Sequence, residues 1–124
     1  MSKCILVVED QEDLRAILRD FLSASGYNVI EAMDGADSVA KAASQRPDLV
    51  LMDIQLPVLD VYDATWQIKA LPGLAAIPII AVSSFAMKGD EEKARQAGCD
   101  DYVTKPYSPI QLLRMVRGYL GEKT

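Results

Sequence analysis

The chain has 124 residues, half of them apolar and a quarter charged, which is the balance of a single globular domain spanning residues 1–124. Its net charge of −5 argues against direct nucleic-acid binding, which needs a basic surface, and the absence of histidine excludes His-based triads and His-ligated metals. No apolar run approaches the roughly 20 residues of a membrane span and no signal peptide is evident, so we expect a cytoplasmic protein without a membrane partner.

The first predicted strand is the continuous apolar run from Cys4 to Val8, which is typical of a strand buried on both faces of a parallel sheet. An amphipathic helix is predicted over residues 11–24, with Gly26 as its C-terminal stop. The apolar residues that recur at helical spacing, and that we expect to face the core, are Leu14, Ile17, Leu18, Phe21 and Leu22.

A short second strand, 28–31, and an alanine-rich helix, 36–45, precede the third strand, which runs from Leu49 to Asp53. Because a strand buried on both faces cannot hold an ionised carboxylate at low cost, we expect Asp53 at its carboxyl end. Open α/β sheets bind their ligands at that edge. The inner stripe of the alanine-rich helix is predicted to be Ala36, Val39, Ala40 and Ala43.

The second half of the chain continues the alternation of strands and helices. Pro78 has no N–H donor and belongs near the start of the fourth strand, which ends in the hydroxyls of Ser83 and Ser84. The elements predicted here are a helix over 64–70, a strand over 77–82, a helix over 91–97 and a strand over 102–104.

The last helix has clear boundaries. Ser108 followed by Pro109 is a favoured helix start, and Gly121 is a favoured stop. The buried stripe of this helix is predicted to be Ile110, Leu113, Val116 and Leu120.

Both cysteines, Cys4 and Cys99, lie in apolar segments far apart in the sequence and form no metal-ligand pattern. We therefore predict reduced core residues.

Five strands alternating with five helices predict an α/β fold, a three-layer doubly wound (βα)5 domain with right-handed crossovers. We expect a five-stranded parallel sheet. If it has the flavodoxin-like order 2-1-3-4-5, strands 1 and 3 are neighbours, and their carboxyl ends meet at the switch point where ligands bind.

Polar side chains suited to one task follow four of the strands: Glu9 and Asp10, then Asp53, Ser83 and Lys105. Three carboxylates and one lysine sum to −2, which is unfavourable in a partly buried cleft. One divalent cation neutralises that charge, and Mg²⁺ prefers hard oxygen ligands of this kind. The backbone carbonyl of a residue after Asp53, namely Gln55, could complete the metal site.

This set of residues is sufficient for phosphoryl transfer, which needs mainly positioning and charge neutralisation. Asp53 would be the nucleophile and form an acyl phosphate, with Lys105 and Ser83 contacting phosphoryl oxygens. Each residue alone has a more ordinary interpretation: Asp10 as a helix cap, Lys105 as a surface lysine. The combination carries the hypothesis.

These residues resemble the receiver domain of two-component response regulators, of the CheY-like superfamily, over essentially the whole chain. In finer detail, residues 85–90 and 97–102 resemble single-domain cell-cycle regulators of the DivK type. The matching motifs are Val8-Glu9-Asp10, Leu51-Met52-Asp53-Ile54-Gln55-Leu56-Pro57, Ala81-Val82-Ser83-Ser84 and Lys105-Pro106.

The resemblance implies that Asp53 accepts phosphate from a histidine on a sensor kinase or phosphotransfer protein. It implies that Glu9, Asp10, Asp53 and the Gln55 carbonyl place Mg²⁺, with Glu9 acting through water, and that the Lys105–Pro106 bond is cis. Phosphorylation would then switch the surface of helix 4, strand 5 and helix 5 through Ser83 and Tyr102. The partners implied are a kinase or phosphotransfer protein and a downstream protein target, with the chain a monomer or a weak phosphorylation-dependent dimer.

One departure from the family pattern is Val61, where receivers very often have glycine. A β-branched residue is strained at positive φ, so either the loop before helix 3 is remodelled or that helix starts differently. Val61 is the sole support for the alternative function, a phosphorylation-independent protein-interaction module. A metabolic enzyme, such as a flavodoxin or an aspartate phosphatase, is disfavoured because acids replace a phosphate cradle and Gln55 replaces a second aspartate.

Overall fold

Five strands and five helices alternate along the chain in this computed structural model, which describes residues 3–53, 58–83, 90–104 and 108–121, with the backbone alone at 58–61, 83, 90 and 91. The predicted alternation is confirmed. The elements are β1 (Cys4–Val8), α1 (Glu12–Ala24), β2 (Asn28–Ala32), α2 (Gly35–Gln45), β3 (Leu49–Asp53), α3 (Val58–Ala70), β4 (Ile79–Ser83), α4 (Asp90–Ala97), β5 (Asp101–Thr104) and α5 (Pro109–Leu120).

The strands form one parallel sheet in the order β2-β1-β3-β4-β5, so the predicted flavodoxin-like topology is also confirmed. The register pairs Val8 with Met52 and Asp53 with Val82. As a result, the carboxyl ends of β1, β3 and β4 lie side by side at one edge of the sheet.

The central strands are apolar except at the carboxyl ends of β3 and β4, which agrees with a sheet that is covered on both faces. Along β1, Leu6 and Val8 belong to the core on one face, while Ile5 and Val7 belong to the core on the other. Residues of α2, α3 and α4 complete the first core (Ala42, Ala64, Ile68 and Ala94), and residues of α1 and α5 complete the second (Leu22, Leu112 and Val116). Successive side chains of a strand point to opposite faces, so this is the three-layer arrangement expected.

The predicted inner stripe of α2 is wrong for its three alanines, whereas Val39 does pack against the first core. Ala36, Ala40 and Ala43 are exposed and Val39 is half-buried, whereas the buried residues are Gly35, Ser38 and Ala42. On average, the predicted stripe is rotated by roughly 120° around the helix from the buried residues. Small residues on every side of α2 give little hydrophobic contrast, so sequence periodicity does not fix which face turns inward.

Two further stripe residues are exposed. Ile17 of α1 and Ile110 of α5 are each 63% exposed, although both were predicted to be buried. The inward face of α5 is set by Leu112 and Val116, which are one turn apart, and Ile110 lies roughly 200° around the helix from Leu112. Ile17 instead lines a shallow apolar groove between α1 and α5.

Helix α3 begins at Val58, six residues before the predicted start, and includes residue 61. A helical backbone is open to any L-residue, so Val61 needs no positive φ. The loop before the helix, residues 54–57, lies outside the described residues, so the structure does not decide between the two alternatives for this departure. Strand β4 begins at Ile79, two residues later than predicted, and Pro78 precedes it.

The ends of α5 follow the sequence prediction. Ser108 is the N-cap, its Oγ accepts a hydrogen bond from the Gln111 N–H at 3.5 Å, and Pro109 opens the helix. Gly121 has a φ of 71°, a left-handed conformation that favours glycine.

Within the described ranges, none of the helices combines the length and the apolar character that crossing a bilayer would require.

Cys99 is a buried free thiol packed in the first core, and burial raises its pKa to about 11. The thiolate is the reactive form, so at pH 8 the native Cys99 should react with iodoacetamide about 100-fold more slowly than an ordinary cysteine. Mass spectrometry of peptides from timed alkylation would measure this rate. The same protein in urea serves as the control, where Cys99 should react at the ordinary rate. An equal rate in the native protein would contradict the burial.

Candidate functional site

The carboxyl edge of the sheet carries the candidate site. Asp53 is the last residue of β3, and Glu9 follows the last residue of the neighbouring β1. The Glu9 N–H donates to the Ala32 carbonyl at 3.0 Å, which continues the β1–β2 ladder by one residue. The strand register therefore holds the backbone of Glu9 in place beside Asp53.

Three carboxylates meet at this edge. Glu9 is 2% exposed and Asp53 is 3% exposed, whereas Asp10 is exposed to solvent. One carboxylate oxygen from each of the three residues lies within 4.8 Å of the other two. The sequence prediction that these three acids lie close together thus agrees with the geometry.

The cluster perturbs its own protonation. Burial, followed by hydrogen bonding to the Asp53 carboxyl group, raises the pKa of Glu9 from 4.5 to about 8, although the Gln11 N–H that donates to Glu9 Oε2 at 3.1 Å acts in the opposite direction. Negative charge accumulated in a desolvated place favours binding of a proton or a cation. The carboxylate cluster therefore favours binding of a positively charged group.

The start of α1 is hydrogen-bonded to the carboxylate cluster. Gln11 is the N-cap of α1, and its own side chain makes no capping hydrogen bond, so the Glu9 carboxylate accepts one of the free N–H groups at the start of the helix. Glu12 and Asp13 follow in that turn. The acidic residues of this segment thus have two roles: Glu12 and Asp13 lie in the first turn of the helix, where negative charge is favourable, and Glu9 belongs to the carboxylate cluster.

The donor set fits Mg²⁺. Three carboxylate oxygens within 4.8 Å of one another are hard ligands, two of them nearly inaccessible and one open to solvent. Mg²⁺ is bound by one or two carboxylates and keeps several waters, which requires an open side of the kind that the exposed Asp10 provides.

The structure describes only some of the other predicted site residues. Ser83 is the final residue of β4 and immediately follows Val82, the register partner of Asp53, so its backbone is at the same edge. Gln55 and Lys105 lie outside the described residues. Tyr102 is half-buried on β5 and packs against the first core.

Sequence reasoning missed Arg15. The side chain of this α1 residue is 14% exposed, and its Nη1 donates to the Glu9 carbonyl at 2.9 Å. An arginine on the first turns of the helix that follows two acids was the available signal.

Comparison with known proteins gives a consistent result. Residues 5–117 match the family model of the response regulator receiver domain. The polar-differentiation response regulator DivK of Brucella anthropi is 43% identical over 122 residues, which is 98% of this chain and 99% of that protein.

Solved structures agree with this match. The receiver domain of a sensor histidine kinase from Pseudomonas aeruginosa, whose crystal structure has a magnesium ion coordinated in the active site cleft, is 38% identical with a TM-score of 0.88 over 98% of this chain and 100% of that one. Vibrio cholerae chemotaxis protein CheY4 is 23% identical with a TM-score of 0.89 over 96% of this chain and 99% of that one, a likeness that concerns the fold alone.

Proposed function

This chain belongs to the response regulator receiver domain family, and from that membership we propose that Asp53 accepts a phosphoryl group in a Mg²⁺-dependent reaction. The donor would be a phosphohistidine on a sensor kinase or phosphotransfer protein. The observation that carries the proposal is the position of Asp53, 3% exposed at the end of a central strand and within 4.8 Å of two more carboxylates.

The chemistry follows from that placement. A carboxylate oxygen of Asp53 attacks phosphorus, the P–N bond of the phosphohistidine breaks, and its electron pair returns to the donor imidazole. Mg²⁺ held by Glu9, Asp10 and Asp53 would offset the negative charge of the carboxylates and of the incoming phosphoryl oxygens. Asp10 is the exposed member of the cluster.

Two further residues belong to the proposal through the family motif. Ser83 would donate its hydroxyl to a phosphoryl oxygen, which its backbone position at the end of β4 supports. Lys105, after β5, would hold a second oxygen, and the Gln55 carbonyl would contribute to the metal site.

Phosphorylation would act as a switch rather than as metabolic turnover. A phosphoryl group adds charge and acceptor oxygens at the carboxyl edge of the sheet, which is enough to bias a two-state element. The proposed element is the surface of α4, β5 and α5, with Tyr102 on β5 as the aromatic that changes position. The proposed partners are a cytoplasmic kinase or phosphotransfer protein and a downstream protein target.

The alternative is a receiver that acts through protein contacts without phosphorylation. Its one support in the sequence, Val61, has a helical backbone within α3. The acid cluster, in contrast, is assembled. The phosphoacceptor function therefore has the better support.

Acetyl phosphate labelling tests the proposal. In the presence of Mg²⁺, intact-mass spectrometry should show a gain of one phosphoryl group, and omission of Mg²⁺ should suppress it because the carboxylates then repel the donor. Beryllofluoride with Mg²⁺ should shift amide NMR signals at the carboxyl edge of the sheet. An interaction module would give neither signal, and that result would overturn the proposal.

A further inference from the structure

The guanidinium of Arg15 connects α1 with β2 and with the segment that follows β1, beside the carboxylate cluster. Arg15, in α1, donates through Nη1 to the carbonyl of Glu9 at 2.9 Å and through Nε to Oε1 of Glu31 at 3.2 Å. The side chain of Arg15 is 14% exposed and that of Glu31 is 32% exposed. This planar fork is a geometry that lysine cannot reproduce, because an ammonium group is a point donor on a flexible stem.

Glu31 is itself held in place. It lies in β2, opposite Val7 of β1, and its backbone carbonyl accepts a hydrogen bond from Lys41 Nζ of α2. Its second carboxylate oxygen, Oε2, is 3.4 Å from Nη1 of Arg19. The anchor for Arg15 is therefore a strand residue with contacts to two helices.

The carbonyl that Arg15 holds belongs to the peptide bond between Glu9 and Asp10. That peptide is planar, so holding its oxygen fixes the plane that contains the Cα atoms of Glu9 and Asp10 and restricts the two backbone rotations, ψ of Glu9 and φ of Asp10, that set where the side chains point. Mg²⁺ demands near-ideal octahedral geometry, which makes its affinity sensitive to the orientation of these carboxylates. Neither of these two Arg15 contacts involves a carboxylate oxygen of Glu9 or Asp10.

We infer that Arg15, anchored by Glu31, is a positioning residue that orients the Glu9–Asp10 peptide for Mg²⁺ binding. The inference rests on the proposed function for the identity of the metal. The role assigned to Arg15 depends on the geometry of its hydrogen bonds and not on its positive charge. A positive charge alone near the cluster would weaken cation binding, whereas a correctly held peptide strengthens it.

Three variants separate the effect of Arg15 geometry on Mg²⁺ binding from the effect of its positive charge. Arg15→Lys keeps the charge and loses the fork, Arg15→Gln loses both, and Arg19→Gln is the matched control. Arg19 is one turn along the same helix and contacts the same Glu31, and its replacement changes the net charge by the same amount. Calorimetric titration of each folded protein with Mg²⁺ alone gives the dissociation constant.

If Arg15 positions the peptide, Arg15→Lys and Arg15→Gln both bind Mg²⁺ about tenfold more weakly, as is typical when a partner of a metal ligand is lost. Arg19→Gln keeps the wild-type affinity. Wild-type affinity in Arg15→Lys together with tighter binding in Arg15→Gln would show a pure charge effect and overturn the inference. Unchanged affinity in both would overturn it as well.

Two further arms keep the result interpretable. If the Arg15 variants do not fold, Glu31→Gln replaces them, and wild-type Mg²⁺ affinity in that variant would overturn the inference because the anchor is weakened. Amide NMR shifts at Glu9 and Asp10 in the metal-free Arg15→Lys protein should also differ from wild type. If wild-type protein itself fails to bind Mg²⁺, both the metal in the proposed function and this inference are wrong; normal wild-type binding with insensitive variants refutes the inference alone.

Discussion

Replacing Asp53 with asparagine is expected to abolish phosphorylation. The amide of asparagine is neutral and a poor nucleophile, and no acyl phosphate can form on it. Asp53 is 3% exposed and lies within 4.8 Å of Glu9 and Asp10. Above pH 8, where Glu9 is ionised, the replacement also removes one of three mutually repelling carboxylates, so at that pH the metal-free variant should melt at the same temperature as wild type or higher.

Intact-mass spectrometry after incubation with acetyl phosphate and Mg²⁺ measures the labelling, and thermal unfolding followed by circular dichroism confirms the fold. Asp20→Asn is the matched control, because Asp20 has a 74% exposed side chain on α1 and should leave labelling unchanged. Labelling of Asp53→Asn to the wild-type extent would show that another residue accepts the phosphoryl group and would refute the assignment of Asp53.

The second large effect is the pH dependence of stability without metal. Burial and the Asp53 carboxyl group raise the pKa of Glu9 from 4.5 to about 8. Since folding favours the protonated form, this contribution to stability is fully present below pH 4.5 and is lost as the pH rises through 8. At about 1.4 kcal/mol per pKa unit, and with part of the shift screened by solvent, the loss is on the order of a few kcal/mol. We expect the midpoint of metal-free thermal unfolding to fall by roughly 10–20 °C between pH 5 and pH 8.5.

Two comparisons test the origin of this dependence. Glu9→Gln carries no titrating group at position 9, so its metal-free stability should change much less over the same pH range. Asp20→Asn should behave as wild type. Millimolar Mg²⁺ at pH 8 should restore much of the lost stability, because a ligand that binds the folded state stabilises it. An equally steep pH dependence in Glu9→Gln would contradict a role for Glu9.

The alternation of strands and helices could be predicted from local sequence because the three central strands are short, mainly apolar runs and each strand is followed by a helical segment. A parallel sheet with both faces covered is the arrangement that buries such strands. The orientations of individual helices could not be predicted as well. In α2, Gly35, Ser38 and Ala42 turn inward rather than the neighbouring alanines, and in α5 Ile110 faces solvent. The contact with the sheet selects the face, and sequence periodicity resolves it poorly where apolar or small residues surround the helix.

By itself, the sequence determined the parallel sheet and the residues that would come together at its carboxyl edge if β1 and β3 were neighbours: Glu9 and Asp10 after β1, and Asp53 at the end of β3. The strand order that makes β1 and β3 neighbours belongs to the tertiary structure. The tertiary structure decided how that edge behaves. The raised pKa of Glu9 arises from burial beside Asp53. The carbonyl of Glu9 accepts a hydrogen bond from Arg15 in α1, and Arg15 is anchored by Glu31, which is 16 residues away in β2. Desolvation and long-range hydrogen bonds depend on which groups the whole fold brings into contact, and no local pattern encodes them.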